Sequence, residues 1–307
     1  MPTFASNASA SSAVASSAVA RQRVLVGGVL ASLLFGACTL GPAIGAEQEF
    51  IPNFAPDRNV GWVASGKGFG VDFVQPPSGP GPVTNDPAYP YLTNAEAART
   101  GRQPTYRVAD LTNPILKPWV VEQMKKANDE VLAGKIPFTA DSRCHPSGVP
   151  SFLLFPANPV RFIQTRDQVL MIWQQDAQVR RVCLDRPHSA DPKPSWYGES
   201  VGHYEGGDTL VVDTIAQNDQ TFVDNYRTPH TTQMHVIERF KLIDGGRTIE
   251  VSVHVEDPGA FTTPWNAIQR YRRTDDGPMI EMVCAENNTG YFSYDVVPLP
   301  HADKADF

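Results

Sequence analysis

The chain has 307 residues, with 26 Lys and Arg against 33 Asp and Glu, a net charge of −7, and is 19% charged and 9% aromatic. That balance excludes a basic nucleic-acid binder, which needs surplus cations to neutralise phosphates, and a disordered polyelectrolyte, which needs more charge and fewer aromatic rings. Its 27 Pro and 23 Gly favour many turns over long helices, so the composition leans towards β structure in one or two domains.

Residues 1–46 have the order of an export signal. A Ser/Ala-rich start is followed by Arg21 and Arg23 and then by an uncharged apolar run from Val24 to Leu40. Cleavage after Ala46 would leave a mature chain beginning at Glu47. A second exit reads Leu34-Phe35-Gly36-Ala37-Cys38 as a degenerate lipoprotein box, with membrane attachment through an acylated Cys38. A retained anchor is the third, although Gly41-Pro42 breaks the run. Each reading puts the remainder in the periplasm or outside the cell. Removing the segment takes away two arginines and no acid, so the charge moves from −7 to −9.

Residues 47–110 read as an irregular arm rich in turn formers, as in Gln75-Pro76-Pro77-Ser78-Gly79-Pro80. Over Pro114–Ala133 the apolar residues Leu116, Val120, Met124, Ala127 and Val131 keep helical spacing. Asn113 or Lys117 precedes a Pro suited to the first turn, and Gly134 stops the helix. From residue 151 the period becomes two. Nine strands are predicted: 161–165, 169–174, 179–184, 200–205, 209–215, 234–243, 248–256, 268–274 and 280–285, joined mostly by short turns. No strand alternates with a helix, which argues against a doubly wound sheet. The expected fold is therefore a mainly β domain over residues 111–290. It would be a single antiparallel up-and-down barrel, calycin-like, with one packed helix and a C-terminal tail at 291–307. A two-sheet sandwich is the alternative.

Gly198-Glu199-Ser200-Val201-Gly202 matches G-x-S-x-G, but a nucleophile elbow needs a strand before the serine and a helix after it. Here Pro192-Lys193-Pro194 precedes and a strand follows, so small residues at a strand start explain the match better. In 234–242, Glu238 shares an alternation class with Met234, Val236, Phe240 and Leu242, while His235, Arg239 and Lys241 take the other face. A carboxylate on an apolar face must pair with a cation, accept hydrogen bonds or stay protonated. Arg180 or Arg181 could partner it, and an acid/base role is the competing reading. Asp213 shares a face with Thr209 and Val211, and His203 and Glu205 share one with Val201. With His230 and His235, several of these His and carboxylates could converge at one barrel mouth. The catalytic candidates are Glu238, His235, His230 and Asp213; the substrate-binding candidates are Arg180, Trp196, Tyr204, His203 and Trp173. No H-x-H or H-E-x-x-H pair is present, so a metal site could arise only by long-range assembly, and no cofactor is expected.

Pro194-Ser195-Trp196-Tyr197-Gly198-Glu199-Ser200-Val201-Gly202, followed by Glu205-Gly206-Gly207-Asp208-Thr209-Leu210-Val211-Val212-Asp213-Thr214, resembles a P-S-W-x-G-D-S-x-G-x-W-E-G-D-T-L-V-V-D-T signature. That signature marks a large group of exported bacterial proteins of unknown function. The likeness extends to Cys144-His145-Pro146-Ser147-Gly148-Val149-Pro150, Pro229-His230 and Cys284-Ala285-Glu286-Asn287, and covers roughly residues 111–287. It implies a common fold and export, and carries no reaction.

The cysteines add one expectation. Cys144 follows the helix in a loop and Cys284 ends the last predicted strand, so a bridge between them would tie the two together, leaving Cys183 as a free thiol. The functional expectation is non-redox acid/base chemistry (hydrolysis, elimination or isomerisation) on a small, partly apolar molecule. A periplasmic binding or carrier protein and a structural envelope protein are the alternatives.

Overall fold

The computed structural model describes residues 51–65, 72–102, 105–135, 137, 139–140, 144–154, 158–275 and 277–284. The export segment 1–46, with Cys38, and the tail 291–307 lie outside the described residues. Nine strands close into a barrel in sequence order: β1 Val60–Ala64, β2 Val160–Gln164, β3 Gln168–Trp173, β4 Val179–Leu184, β5 Glu199–Glu205, β6 Thr209–Ile215, β7 His235–Ile243, β8 Thr248–Glu256 and β9 Trp265–Asp275. The closing ladder runs antiparallel from Val60↔Asp275 to Ala64↔Tyr271, which excludes the sandwich. No helix among the described residues is long and apolar enough to cross a membrane.

Four features depart from the sequence reading. The first strand comes from the segment read as an irregular arm: β1 is short, and four of its five residues are buried, so it carries no alternation to betray it. The arm also holds a short helix, α1 Asn94–Thr100, capped by the Thr93 hydroxyl, which accepts from the Glu96 N–H at 3.2 Å. The segment 280–284, read as the start of a strand, is none. Ile280 stays exposed, and the Cys284 N–H is held by the Asp176 side chain at 3.2 Å instead of by a ladder. Finally, the barrel is not a pure meander. β4 and β5 are parallel, in the register Val182↔Ser200 to Leu184↔Gly202. The long 185–198 connection returns the chain to the end from which β4 began, and parallel pairing requires such a return.

The inward faces fill the barrel with large side chains. Trp62, Trp173, Trp265, Tyr271, Phe162 and Phe240 are all buried, with Phe162 against Phe240 at 6.2 Å and Trp173 against Tyr271 at 6.2 Å between ring centroids. A short 3-10 turn, Ser151–Leu154, plugs the barrel. Phe152 packs edge-on against Trp173 at 5.5 Å, and the Tyr271 hydroxyl donates to the Leu153 carbonyl. The predicted helix appears as α2 Pro118–Leu132, with Lys117 as its cap and Pro118 in its first turn. It buries Val120, Met124 and Asn128. Asn128 is polar on the buried stripe because its amide acts as a surrogate strand edge: it accepts from the Ala109 N–H and donates to the Ala109 carbonyl, each at 2.9 Å. The Trp119 indole donates to the Gly259 carbonyl at 2.8 Å and fastens α2 to the loop after β8.

The expected Cys144–Cys284 bridge is present, with Cα atoms 5.5 Å apart and the cysteines 140 positions apart in sequence. Cys183 departs from expectation: it is disulfide-bonded, not a free thiol. Disulfides fit an oxidising compartment. Closing so long a loop restricts the unfolded chain, so Cys144→Ser combined with Cys284→Ser is expected to lower stability by ~2–4 kcal/mol. Urea unfolding of the double variant under non-reducing conditions measures it; an unchanged midpoint would contradict the expectation.

Candidate functional site

The candidate residues divide between two sides of the barrel wall. Inside, β4, β5, β6 and β7 bring Arg180, Ser200, Thr214 and Glu238 together. Arg180 and Glu238 are both fully buried; Nη1 donates to Oε1 at 3.0 Å and Nη2 donates to Oε2. Arg180 Nη2 also donates to the Thr214 hydroxyl at 3.0 Å, the Ser200 and Thr214 hydroxyls share a hydrogen bond at 2.8 Å, and the guanidinium lies 5.8 Å from the centre of the Phe152 ring. Each charged atom therefore has a partner, and the pair is sealed from solvent. Burial next to the Glu238 carboxylate raises the Tyr271 hydroxyl far above the ordinary phenol range, so it stays a neutral donor.

Ser200 belongs to this interior group and sits within β5, with a strand after it and no helix. The glycines of its G-x-S-x-G run have a steric explanation. A Cβ on Gly198, whose φ is +63°, would stand 2.2 Å from the Ile215 carbonyl oxygen, and one on Gly202 would stand 2.6 Å from that of Val211. Close strand approach, not a nucleophile turn, fixes the pattern.

Outside, a row of alternating imidazoles and carboxylates crosses β5 to β9 at the end from which the 216–234 loop leaves β6. The antiparallel registers Asp213↔Ile237 and His235↔Glu256 set its spacing, because diagonal neighbours on one sheet face come within reach of long side chains. Asp213 Oδ1 lies 2.9 Å from His235 Nε2 and 3.0 Å from His188 Nε2, so both rings can donate to one oxygen. His188 Nδ1 faces Glu199 Oε1 at 3.0 Å, and Ser189 donates to the same carboxylate through its N–H at 2.7 Å and its hydroxyl at 2.6 Å. His254 continues the row, with Nε2 3.0 Å from Glu256 Oε1 and Nδ1 2.8 Å from Asn266 Oδ1. Between His235 Nδ1 and Glu256 Oε2 the gap widens to 3.5 Å. That nitrogen is the loosest in the row, on a side chain 31% exposed beside Asp213 at 37%.

The carboxylates respond to these contacts. Partial burial pushes Glu199 up, but hydrogen bonds from Ser189 and His188 outweigh it and hold Glu199 below the usual range. Hydrogen bonding from His254 leads the causes that hold Glu256 low, with His235 contributing.

Of the four catalytic candidates, His235 and Asp213 meet. Glu238 points to the opposite side of the wall. His230 lies buried in the 216–234 loop, where its Nε2 is 2.8 Å from the Thr221 hydroxyl and its Nδ1 is 3.0 Å from the Thr231 carbonyl; burial lowers its pKa and favours the neutral ring. Single convergence at one mouth is thus not what the barrel builds. Among the binding candidates, Arg180 and Trp173 are sealed inside, and Tyr204 accepts from Gln164 Nε2 at 2.9 Å. His203 bonds Glu205 at 3.0 Å on the exposed surface, and Trp196 packs against His145 at 5.1 Å. Sequence reasoning missed His188, Glu199, His254 and Glu256 as site residues. Alternation along β8 does put His254 and Glu256 on one outer face, whereas His188 lies in a loop without a period. No group of His, Cys, Asp and Glu among the described residues has the arrangement of a metal site.

Compared with protein-family models, curated proteins and solved structures, the chain matches none.

Proposed function

We propose that this is an exported β-barrel protein performing non-redox acid–base chemistry on a small, partly apolar molecule. In this reading His235 transfers the proton and Asp213 orients it. The observation that carries it is the pair of imidazoles sharing Asp213 Oδ1 on the outer face, at 2.9 and 3.0 Å. A carboxylate accepting the Nε2 proton fixes the tautomer of the neutral His235 ring and makes Nδ1 its basic nitrogen, which donates to Glu256 only once the ring is protonated. Nδ1 is the ring atom with the weakest protein contact, so it can take a proton from substrate or from a water molecule. The imidazolium so formed is flanked by Asp213 and Glu256, which stabilise its charge, and it returns the proton to the leaving group or the product. Glu238 serves in this reading as the structural partner of Arg180. Export is supported by the charged-then-apolar order of residues 1–46, by the disulfide, and by the resemblance to exported proteins.

The test is a panel of small aryl esters, lactones and amides, with solvent-proton exchange on carbon acids added, run on the wild type and on the His188→Gln/His235→Gln double variant. Turnover in the wild type that disappears in the folded double variant is the expected result. Equal turnover in both proteins, or none in the wild type across the panel, counts against the proposal.

A further inference from the structure

Away from the row, a small pocket opens between the segment 147–154 and the segment 222–227. Its lining includes Ser147, Leu154, Phe222, Asp224 and Arg227, and its volume is ≈ 40 Å³. At about 10–15 Å³ per water, that is room for about three waters or the head of a small molecule. Two of the lining side chains each carry a buried donor atom without an acceptor. Arg227 is 5% exposed and Ser147 is 6% exposed, and neither Arg227 Nε nor Ser147 Oγ has a hydrogen-bond partner. Buried polar groups are normally paired, so two orphans in one pocket point to a missing acceptor.

The charge arithmetic agrees. Arg227 donates from Nη2 to the Arg107 carbonyl at 3.0 Å, but among the described residues no carboxylate forms a salt bridge with it. Asp224, the nearest acid in sequence, is already occupied. It accepts from the Tyr226 N–H at 2.9 Å, the Thr228 N–H at 3.1 Å and the Thr228 hydroxyl at 2.7 Å, closing its own turn. That turn holds Arg227 at φ +64°, a conformation that non-glycine residues seldom adopt. A buried cation without a contacting anion is costly unless an anion arrives.

We infer that this pocket binds the carboxylate of a small organic acid, with Arg227 Nε and Ser147 Oγ donating to its two oxygens and Leu154 and Phe222 against its apolar part. Two donors match the two oxygens of a carboxylate, whereas a phosphate dianion presents more acceptors than these two donors can serve and brings a second negative charge into a pocket that Asp224 also lines. The site stands independently of the histidine row.

Proton coupling follows from the neighbours. Burial is the main cause that pushes Asp224 up, to about 6, against the hydrogen bonds in its turn. Asp72 acts on it in the same direction, Tyr226 and Arg227 interact with it electrostatically, and Arg107 and Glu130 act in turn on Arg227. An arriving anion favours protonated Asp224, so binding takes up a proton and tightens as pH falls through about 6.

The experiment is titration calorimetry of the full mature chain with butyrate and, separately, with inorganic phosphate, at pH 5.5 and 7.5. The expected result is saturable butyrate binding at millimolar concentration or below, tighter at the lower pH. Arg227→Gln should weaken it roughly 10- to 100-fold, the range for a lost charge-assisted hydrogen bond. Ser147→Ala should weaken it several-fold and keeps the test valid if Arg227→Gln fails to fold. Asp224→Asn should remove the pH dependence. No saturable butyrate binding, phosphate binding in its place, or butyrate binding indifferent to Ser147→Ala would each overturn the inference.

Discussion

Glu238→Gln is expected to destabilise the fold by ~3–5 kcal/mol, because it removes one charge of a sealed pair and strands the other. Arg180 and Glu238 are both 0% exposed and meet through two parallel contacts. Glutamine keeps the shape but presents an NH2 group to a guanidinium that can only donate, so one contact turns from attractive to repulsive. For a domain of this size, the loss corresponds to a fall in Tm of roughly 6–20 °C. Removing both charges is a different matter. Arg180→Met with Glu238→Leu leaves the Ser200 and Thr214 hydroxyls bonded to each other at 2.8 Å and should recover most of the loss. Thermal unfolding of the single and double variants checks the ordering; a single variant as stable as the wild type would show that the pair is not buried as described.

The barrel was legible where its strands are half-buried. β3 alternates at every residue, and in β7 the class Val236, Glu238 and Phe240 turns inward as its pattern implies. β1 was not legible, since Val60, Gly61, Trp62 and Val63 are all buried and a strand covered on both faces has no period of two. The residues 280–284 misled in the opposite sense. Ile280 and Val283 have strand propensity, but the bridge from Cys284 and the contact with Asp176 hold this stretch against the barrel without a ladder. Strand direction was hidden too: nothing in the composition of 185–198 says whether β5 returns parallel or antiparallel to β4.

The site was legible strand by strand but not across strands. Alternation turned Glu238 one way and His235 the other, and it put Asp213 on one face with Thr209 and Val211. What it could not supply is register. His235 and Asp213 are 22 residues apart, and the ladder Thr214↔Val236 that brings them to 2.9 Å starts only after the 216–234 loop has folded back. Alternation also left open which of Arg180 and Arg181 faces Glu238; the registers Met171↔Arg180 and Val182↔Ser200 turn Arg180 inward. His188 arrives from a loop with no periodic signal, so the second ring on Asp213 had no trace in the sequence.

Asp213→Asn carries the second large effect. The amide keeps the size of the side chain but replaces the shared anion with one neutral acceptor and one donor. It can therefore hold one imidazole in the productive tautomer at most, and it no longer stabilises an imidazolium. Turnover by a dependent acid–base step should fall by roughly 10²–10⁴. Stability should change by less than about 1 kcal/mol, because Asp213 is 37% exposed and its ion pairs are screened by solvent. The two substitutions thus oppose each other: Glu238→Gln should give an unstable protein whose folded fraction is active, and Asp213→Asn a stable protein that is not. The decisive measurement is turnover per folded molecule of both variants, on one substrate, at a temperature where each is folded. Activity near the wild-type level in Glu238→Gln and lost in Asp213→Asn is the predicted result, and activity lost in folded Glu238→Gln but kept in Asp213→Asn would place the chemistry inside the barrel and contradict it.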